Sequence, residues 1–331
     1  MKIQNILKYT FFICFVLFVG LFTVFVNLSI YFRLENSYLS LLSICIFSLS
    51  FIYFIRFFRF SFIAWILYIT LSLFWFFWYG NIKASNDRIW HKNVAVLSYA
   101  TINNNLITVH NIRHIKYITE EDYQISYYDE TFDLHKLDEI NFIASYWMGK
   151  NIAHTFLSFS FSDDKHLAIS IEARKELDES YSIIKGLFKD NELYYVVADE
   201  SDLIGVRTNI RKNPPEDVYM YQIKADLKDQ QEVFLNYIHK LNELKKIPEF
   251  YNTLTLNCTT SIWNNTLINY PDIPFSWEIV ISGYTAHYLY RNNLLKRYGL
   301  NFEELEKKSY INPLVNSTQI DATYSFKIRN K

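Results

Sequence analysis

Residues 251–261 read YNTLTLNCTTS and contain Cys258, the only cysteine outside the apolar N-terminal part of the chain. We interpret this stretch as a strand end that runs into a helix, with Asn257 as the N-cap and Cys258 at the first helical position. Asparagine is among the best N-caps, and the N–H groups and partial positive charge of a helix N-terminus stabilise a thiolate. The position therefore suits a nucleophile, although most free cysteines are only small buried side chains.

Three apolar stretches precede this part of the chain, at residues 10–30, 37–55 and 60–79. Each is close to the ~20 residues that a helix needs to cross a ~30 Å hydrocarbon layer. The first stretch is longer than the apolar part of a signal peptide, and no small-residue cleavage site follows it, so we expect a retained anchor. The sequence therefore predicts three transmembrane helices.

The basic residues between these stretches predict the orientation in the membrane. Lys2 and Lys8 precede the first stretch, and Arg56 and Arg59 lie between the second and the third. Basic residues stay on the cytoplasmic side, so an odd number of spans places the rest of the chain on the outer side. We expect a multi-pass protein of the inner (cytoplasmic) membrane with a periplasmic soluble part.

Composition excludes several classes of function. The formal net charge of the chain is −1 and no stretch is strongly basic, which argues against a nucleic-acid partner. The histidines do not cluster at ligand spacing, so we expect no metal site and no cofactor. Cys14 and Cys45 lie in the predicted spans, which leaves Cys258 without a disulfide partner in the soluble part. A free thiol in an oxidising compartment is a liability unless it reacts.

The soluble part has strand patterns first and helix patterns later, which is typical of the α+β class. The predicted strands and helix lie at residues 109–118, 152–161, 167–173, 192–198, 218–223 (strands) and 227–246 (helix). We expect the acidic, tyrosine-rich residues 119–141 to wrap the surface. The predicted domains are the spans (1–80), a linker and surface segment (81–107), a thiol-enzyme domain (108–315) and a tail (316–331).

The strands at 152–161 and 167–173 form a predicted hairpin. Because side chains alternate between the two faces of a strand, matching the apolar faces puts His154 and Glu172 on the same side. Cross-strand neighbours lie within about 4.5 to 8 Å, so the carboxylate of Glu172 can fix the tautomer of His154 and keep it basic. The same face carries small residues that we expect to leave room for a ligand: Ser158, Ser160, Ala168 and Ser170.

Other interpretations of these residues remain open at this point. His154 is also consistent with a hydrogen-bonded histidine on a half-buried strand. Glu172 is also consistent with a surface ion pair to Arg174, and Asn257 or a backbone carbonyl is an alternative orienting group for His154.

Four runs of sequence carry a resemblance to a known family: NIAHTFLSFSF, AISIEARKE, ADESDLIGVRT and FYNTLTLNCTT, at residues 151–161, 168–176, 198–208 and 250–260. In this order they resemble the Lnb N-terminal periplasmic domain family of bacterial envelope proteins, over roughly residues 88–263. That family resembles permuted papain-like, NlpC-type thiol enzymes, in which the histidine strand precedes the cysteine helix, and lecithin:retinol acyltransferase, which shares this plan. The family's namesake is a bacterial lipoprotein N-acyltransferase.

The resemblance implies roles for individual residues. It implies that Cys258 is the nucleophile and His154 the base. The family-like polar positions of this chain are Arg113, Ser158, Glu172, Arg174, Glu176, Glu200, Asp202, Arg207, Arg211 and Asn257. Among them, Arg174, Arg207 and Arg211 suit a phosphate, since guanidinium groups bind it bidentately, whereas the alternative is a structural network with the neighbouring carboxylates.

The predicted site combines these assignments. Cys258, His154 and Glu172 are the expected catalytic residues, and the expected oxyanion or substrate-binding residues are Asn257, Thr259, Ser158, Arg174, Arg207 and Arg211. We expect an acyltransferase or thioesterase that acts on a phospholipid or lipoprotein through an acyl-cysteine intermediate. The alternatives are a cell-wall amidase or endopeptidase with the same two residues, and a non-catalytic envelope protein.

Overall fold

The structure is a computed structural model that describes residues 2–177, 182–269, 272–315 and 320–329. It divides into two compact units, Met1–Ala84 with Ser182–Asp190, and Ser85–Tyr181 with Asn191–Lys331. The first unit contains the three apolar stretches. The second contains the residues of the predicted site.

The first unit is built from three long helices, α1 (Lys2–Arg33), α2 (Ser37–Phe57) and α3 (Phe62–Asn81). All three are long and apolar enough to cross a membrane. Asn36 and Ser61 begin α2 and α3, because their side chains accept hydrogen bonds from the N–H groups of Leu39 and Ala64. The predicted positions of the three apolar helices are therefore confirmed.

Residues 182–190 come from the soluble part of the sequence but belong to the helical unit. The ring of Phe188 lies 5.2 Å from the ring of Phe25 and 5.4 Å from that of Phe32, both in α1. The Nζ of Lys189 donates to the carbonyl of Tyr79 at 2.9 Å, at the end of α3. Residues 182–190 therefore pack against the C-terminal parts of α1 and α3.

The second unit is organised around an eight-stranded sheet in the order β1-β2-β7-β6-β5-β4-β8, with β3 paired to β2. Only β2 and β7 run parallel among the described pairs, so the sheet is mixed. The strands are β1 (Tyr99–Asn103), β2 (Leu106–Tyr117), β3 (Tyr123–Asp133), β4 (Leu137–Tyr146), β5 (Ala153–Phe161), β6 (His166–Arg174), β7 (Glu192–Ala198) and β8 (Asp217–Gln222).

Helices cover both faces of this sheet. They are α4 (Glu200–Leu203), α5 (Leu227–Lys246), α6 (Cys258–Asn269), α7 (Trp277–Val280), α8 (Thr285–Arg291), α9 (Phe302–Ser309), α10 (Asn312–Val315) and α11 (Tyr324–Lys327), with a π-helical turn at Val206–Ile210. On one face the ring of Phe159 packs against Phe234 and Tyr237 of α5. On the other face Phe156 belongs to a core with Leu203 and Tyr324.

The predicted α+β class is confirmed, and α5 has its predicted bounds. The permuted papain-like arrangement stays a prediction. Residues 119–141, which were expected to wrap the surface, contain β3 and the start of β4, and most of the side chains of β3 are half-buried or exposed. Alternation is visible in β3, whose side chains are half-buried and exposed in turn. Its polar composition reflects a strand that packs little against the core.

Two of the predicted segments, the linker and the tail, contain more structure than the sequence indicated. Residues 81–107, expected to be a linker and surface segment, contain β1 and the buried side chains of Trp90 and Val94. Of the predicted tail, residues 320–329 pack in the core through Tyr324 and Ile328. Residues 316–319, 330 and 331 of that tail lie outside the described residues.

Candidate active site

Cys258 is the first residue of α6. The Oδ1 of Asn257 accepts a hydrogen bond from the N–H of Thr260 at 2.9 Å, and its Nδ2 donates to the carbonyl of Thr253 at 2.6 Å. Asn257 is therefore the predicted N-cap, and both polar atoms of its side chain are used in holding the start of the helix. The N–H groups of the first helical residues have no partner within the helix. These N–H groups lie at the N-terminal end of α6, which also carries the thiol of Cys258.

Strand β5 brings two residues to this thiol. These are His154 and Thr155, which stabilise the thiolate form of Cys258. Burial by itself would raise the pKa of Cys258, but His154, through its polar side chain and its charge, and Thr155 together lower that pKa from 9.0 to about 6. The surroundings of Cys258 therefore favour its thiolate form. Thr155 also lies close to Thr259, with the two Oγ1 atoms 3.1 Å apart.

Strand β6 brings two partners to the other side of the imidazole. The Nε2 of His154 lies 2.7 Å from the Oγ of Ser170 and 3.4 Å from the Oε1 of Glu172. Ser170 donates in turn to the same Oε1 at 2.9 Å.

The charged forms of Cys258, His154 and Glu172 stabilise one another. Burial would lower the pKa of His154, but its hydrogen bonds to Cys258 and Glu172 raise it above 6.5. Burial would raise the pKa of Glu172, but the hydrogen bond and charge of His154 and the charge of Arg207 hold it well below 4.5. These interactions therefore favour the charged forms of all three groups.

Arg207 binds the carboxylate of Glu172. Its Nη2 lies 3.3 Å from the Oε1 of Glu172, and its Nε lies 3.7 Å from the Oε2 of Glu216. Glu216 also accepts from Ser145 and pairs with Arg211 at 2.6 Å. Arg207 is buried, so this network holds Glu172 in a defined position rather than presenting a free guanidinium.

The other two arginines of the predicted site, Arg174 and Arg211, are also held by contacts within the protein. Arg174 is 1 % exposed, its guanidinium lies 4.0 Å from the centre of the Trp90 ring, and it donates to the carbonyls of Val94 and Ala95. It does not pair with Glu172, whose arginine partner is Arg207. Arg211 binds Glu216 and Glu120. The three arginines are thus held by protein groups, and among the carboxylates Glu172 and Glu216 bind Arg207.

The expectation that the small-residue face of the hairpin leaves room for a ligand was wrong. Ser158 is fully buried and donates to the carboxylate of Glu200. The guanidinium of Arg329 pairs with this same carboxylate at 2.6 Å and donates to the Oγ of Ser160 at 2.7 Å. The small residues therefore make space for a buried ion pair, and Ser158 lies in that pair rather than beside Cys258.

Three residues of the site were missed in the sequence. Ser170 lies on the same face as His154 and Glu172, so the alternation of the hairpin contained the signal for it. Thr155 faces the other way, and its contact with Cys258 depends on how α6 packs against β5. Glu216 follows two prolines in a loop, and no local pattern marked it.

Comparison with known proteins gives one match. Residues 123–283 match the family model of the Lnb N-terminal periplasmic domain. No curated protein and no solved structure matches the chain. The matched segment contains His154, Glu172 and Cys258, and the resemblance predicted from the sequence is confirmed. Residues 123–283 of this chain are therefore similar to the Lnb N-terminal periplasmic domain family.

Proposed function

We propose that this protein is a membrane-anchored thiol enzyme of the bacterial envelope that transfers or hydrolyses an acyl group of a lipid or lipoprotein. The observation that carries the proposal is that Cys258, at the start of α6, and His154, on β5, are brought together so that His154 lowers the pKa of the thiol to about 6. A lowered thiol pKa beside a basic histidine is the property that distinguishes nucleophilic cysteines from structural ones. Glu172 supports the pair as orienting group.

The proposed reaction has two balanced steps. The thiolate of Cys258 attacks the carbonyl carbon of an acyl ester, and the alkoxide that leaves takes a proton from the imidazolium of His154. An amine or water then attacks the resulting thioester, His154 takes the proton of this nucleophile, and Cys258 leaves as the thiolate. The acyl group passes to the amine or to water, and the starting ion pair is restored.

The oxyanion of each step needs hydrogen-bond donors near the thiol. The N–H groups of Cys258 and Thr259, at the first turn of α6, are suited to this role because the helix leaves them without internal partners. Asn257 acts indirectly in this scheme, since its side chain caps the helix.

A lipid or lipoprotein substrate is favoured by the three apolar helices, because an anchored domain meets membrane-bound substrates at a high effective concentration. We propose that all three helices span the inner membrane, with Lys2, Lys8, Arg56 and Arg59 in the cytoplasm and the Lnb-type domain in the periplasm. We also propose that this domain follows the permuted papain-like plan, with His154 on a strand that precedes the helix of Cys258.

The proposal is tested by mass spectrometry of full-length protein purified from membranes, together with a thiol-reactive activity probe. We expect a fatty-acyl adduct on Cys258, and probe labelling that is lost in Cys258→Ser and reduced at least tenfold in His154→Ala. His239→Ala is the matched control, because His239 is exposed on α5. A wild-type protein that takes neither label nor acyl group is not an enzyme of this kind. Cleavage of cell-wall peptides without an acyl adduct identifies an amidase instead.

A further inference from the structure

Two of the strands that end the sheet have their outer edges covered by other parts of the chain. At β8, the N–H of Ile311 donates to the carbonyl of Val218 at 3.0 Å. At β1, the side-chain amide of Asn242 in α5 donates to the carbonyl of Ala100 at 2.8 Å and accepts from its N–H at 2.8 Å. A covered edge leaves fewer backbone groups for pairing with another chain.

Strand β3 is also an edge strand, and part of its outer edge is uncovered. Within the described part of the chain, β2 is the one strand that pairs with it. Near the end of β3, the Nζ of Lys165 donates to the carbonyl of Thr131 at 2.7 Å, and the N–H of Thr131 donates to the carboxylate of Glu130 at 3.1 Å. The outer backbone groups of residues 123–128 have no such partner among the described residues. We call residues 123–128 the open edge.

The contacts of β2 show which backbone groups of β3 face outward. The carbonyl of Arg113 accepts from the N-cap of α4 at 3.3 Å, and the N–H of Ile115 donates to the carboxylate of Asp202 at 3.1 Å, so these groups of β2 point away from β3. Two residues that face each other in an antiparallel pair exchange both of their hydrogen bonds or neither. Arg113 and Ile115 lie opposite Tyr127 and Ile125. The N–H and C=O groups of Tyr127 and Ile125 therefore point out of the sheet at the open edge.

The sequence around the open edge is acidic. Residues 119–133 contain six acidic residues and no lysine or arginine. They lie on both sides of the open edge, at Glu120, Glu121, Asp122, Asp129, Glu130 and Asp133. If a second copy of β3 paired antiparallel about Ile125, Glu121 would lie opposite Asp129, and like charges in this position destabilise a strand pair. The charge therefore favours a basic partner strand over a second copy of this chain.

We propose that the open edge binds an extended basic segment of a partner protein as an added β-strand. The outward groups of Ile125 and Tyr127 form hydrogen bonds with this strand, and the acidic residues on both sides attract its lysines or arginines. Tyr123 and Tyr127 lie on one face of the open edge and Tyr128 on the other, and aromatic residues pair well with β-branched neighbours. This inference adds a partner and does not depend on the chemistry proposed for Cys258.

The test uses full-length protein in detergent and a fluorescein-labelled probe peptide. In this lysine peptide, valine and threonine alternate over about six residues, the usual strand length, between pairs of lysines. One control peptide has glutamates in place of the lysines. The other keeps the lysines and carries N-methyl groups on two adjacent central residues, which block both of its hydrogen-bonding edges. Binding is measured by fluorescence anisotropy.

We expect the wild-type protein to bind the lysine peptide at least about tenfold more tightly than either control peptide, because each control loses several hydrogen bonds or charge contacts. Equal binding of the N-methylated peptide overturns the inference, since the interaction then does not use the backbone. Equal binding of the glutamate peptide overturns the basic character of the partner. Absence of binding to the lysine peptide up to about 1 mM also overturns the inference.

Ile125→Pro tests the edge from the side of the protein. Because the N–H of Ile125 points outward, proline removes this donor without removing a hydrogen bond between β3 and β2. Ile125→Thr is the matched control, because it changes the same side chain and keeps the N–H. Ile125→Pro should bind the lysine peptide at least about tenfold more weakly, and Ile125→Thr should stay within about threefold of wild type. Wild-type affinity in Ile125→Pro overturns the inference.

Light scattering of the same proteins tests the alternative occupant, which is a second copy of the chain. We expect wild type and Ile125→Pro to have the same oligomeric state. A wild-type dimer that Ile125→Pro converts to a monomer assigns the open edge to pairing between two copies and overturns the inference.

Amide hydrogen exchange of wild-type protein applies even if Ile125→Pro does not fold. The outward N–H groups of Ile125 and Tyr127 should exchange rapidly in the protein alone and at least about tenfold more slowly with saturating lysine peptide. Ser126 is the internal control, because it lies opposite His114 and its N–H belongs to the pairing with β2 in both states. Exchange of Ile125 and Tyr127 that the peptide leaves unchanged overturns the inference.

Discussion

The Nε2 of His154 and the Oε1 of Glu172 face each other across strands β5 and β6 at 3.4 Å. The register of these strands pairs Phe156 with Ser170, and its continuation sets His154 opposite Glu172. Arg207 binds the same carboxylate oxygen from the other side at 3.3 Å. The sheet therefore fixes the carboxylate that raises the pKa of the imidazole, while the helix that carries Cys258 is fixed separately by its N-cap.

The pH dependence of alkylation tests the ion pair. In a Cys14→Ser, Cys45→Ser background Cys258 is the only thiol of the chain. Because its pKa is lowered to about 6, the rate of reaction with iodoacetamide should rise with a midpoint near pH 6 and level off by neutral pH.

His154→Gln gives the contrast for this measurement. Without the imidazole, the burial that raises the pKa of Cys258 is no longer offset by the hydrogen bond and charge of His154. The midpoint should therefore move upward to pH 9 or above. A midpoint that is the same in both proteins would show that His154 does not stabilise the thiolate.

Glu172→Gln tests the orienting carboxylate. Glu172 raises the pKa of His154, so a neutral glutamine should let the imidazolium lose its proton at a lower pH. The alkaline limb of the pH profile of kcat/KM should move to lower pH, and the maximum should fall at least about tenfold, or about 1.4 kcal/mol. Glu176→Gln is a control in the same stretch of sequence, outside the group around His154. An unchanged alkaline limb in Glu172→Gln would contradict the assignment.

Ser170→Ala tests the hydroxyl between the imidazole and the carboxylate. Its removal leaves His154 and Glu172 facing each other at 3.4 Å, so the loss of kcat/KM should be smaller than in Glu172→Gln. Because the three side chains share one set of hydrogen bonds, the double variant should lose less than the sum of the two single losses. Additive losses would mean that Ser170 acts independently of Glu172.

The hairpin was predictable because its strands alternate regularly and only one register buries both apolar faces. Matching the apolar faces also places His154 and Glu172 on the same side of the hairpin. The start of α6 was also predictable, since an asparagine N-cap is a local signal that the hydrogen bond from Thr260 to Asn257 confirms. These features depend on residues that are close in sequence or are joined by one turn.

The covering of the small-residue face was not predictable in this way. It depends on Glu200, which follows β7, and on Arg329, near the end of the chain, meeting above Ser158 and Ser160. Small residues on a strand face are compatible with a ligand, a helix or a buried ion pair, and alternation does not distinguish these. The arginine that pairs with Glu172 was not predictable for the same reason. It is Arg207, which is distant in sequence, whereas the alternation of the hairpin indicated the nearby Arg174.

Arg329→Met tests whether this buried ion pair holds the end of the chain to the sheet. The guanidinium of Arg329 binds both oxygens of Glu200, at 2.6 and 2.7 Å, and the side chain of Glu200 is fully buried. Loss of the arginine leaves a buried carboxylate without its counter-charge, which should lower the free energy of unfolding by about 3 kcal/mol. Lys327→Met is the matched control, because Lys327 pairs with an exposed Asp321 and should cost below about 1 kcal/mol.

Glu200→Gln in the Arg329→Met protein separates lost charge pairing from lost packing. Burial raises the pKa of Glu200, and Arg329 outweighs it, so the folded-state pKa lies below 4.5 and the pair stabilises the protein above that pH. In Arg329→Met the effect of burial is opposed by His166 and by the hydrogen bond from Ser158 without the arginine, so the carboxylate should destabilise the fold increasingly as the pH rises above about 4.5. The double variant should therefore recover most of the lost stability at pH 7 and little at pH 4, measured by urea denaturation. Equal stability of the single and double variants at pH 7 would mean that Arg329 acts through packing, because the neutral glutamine would then relieve nothing.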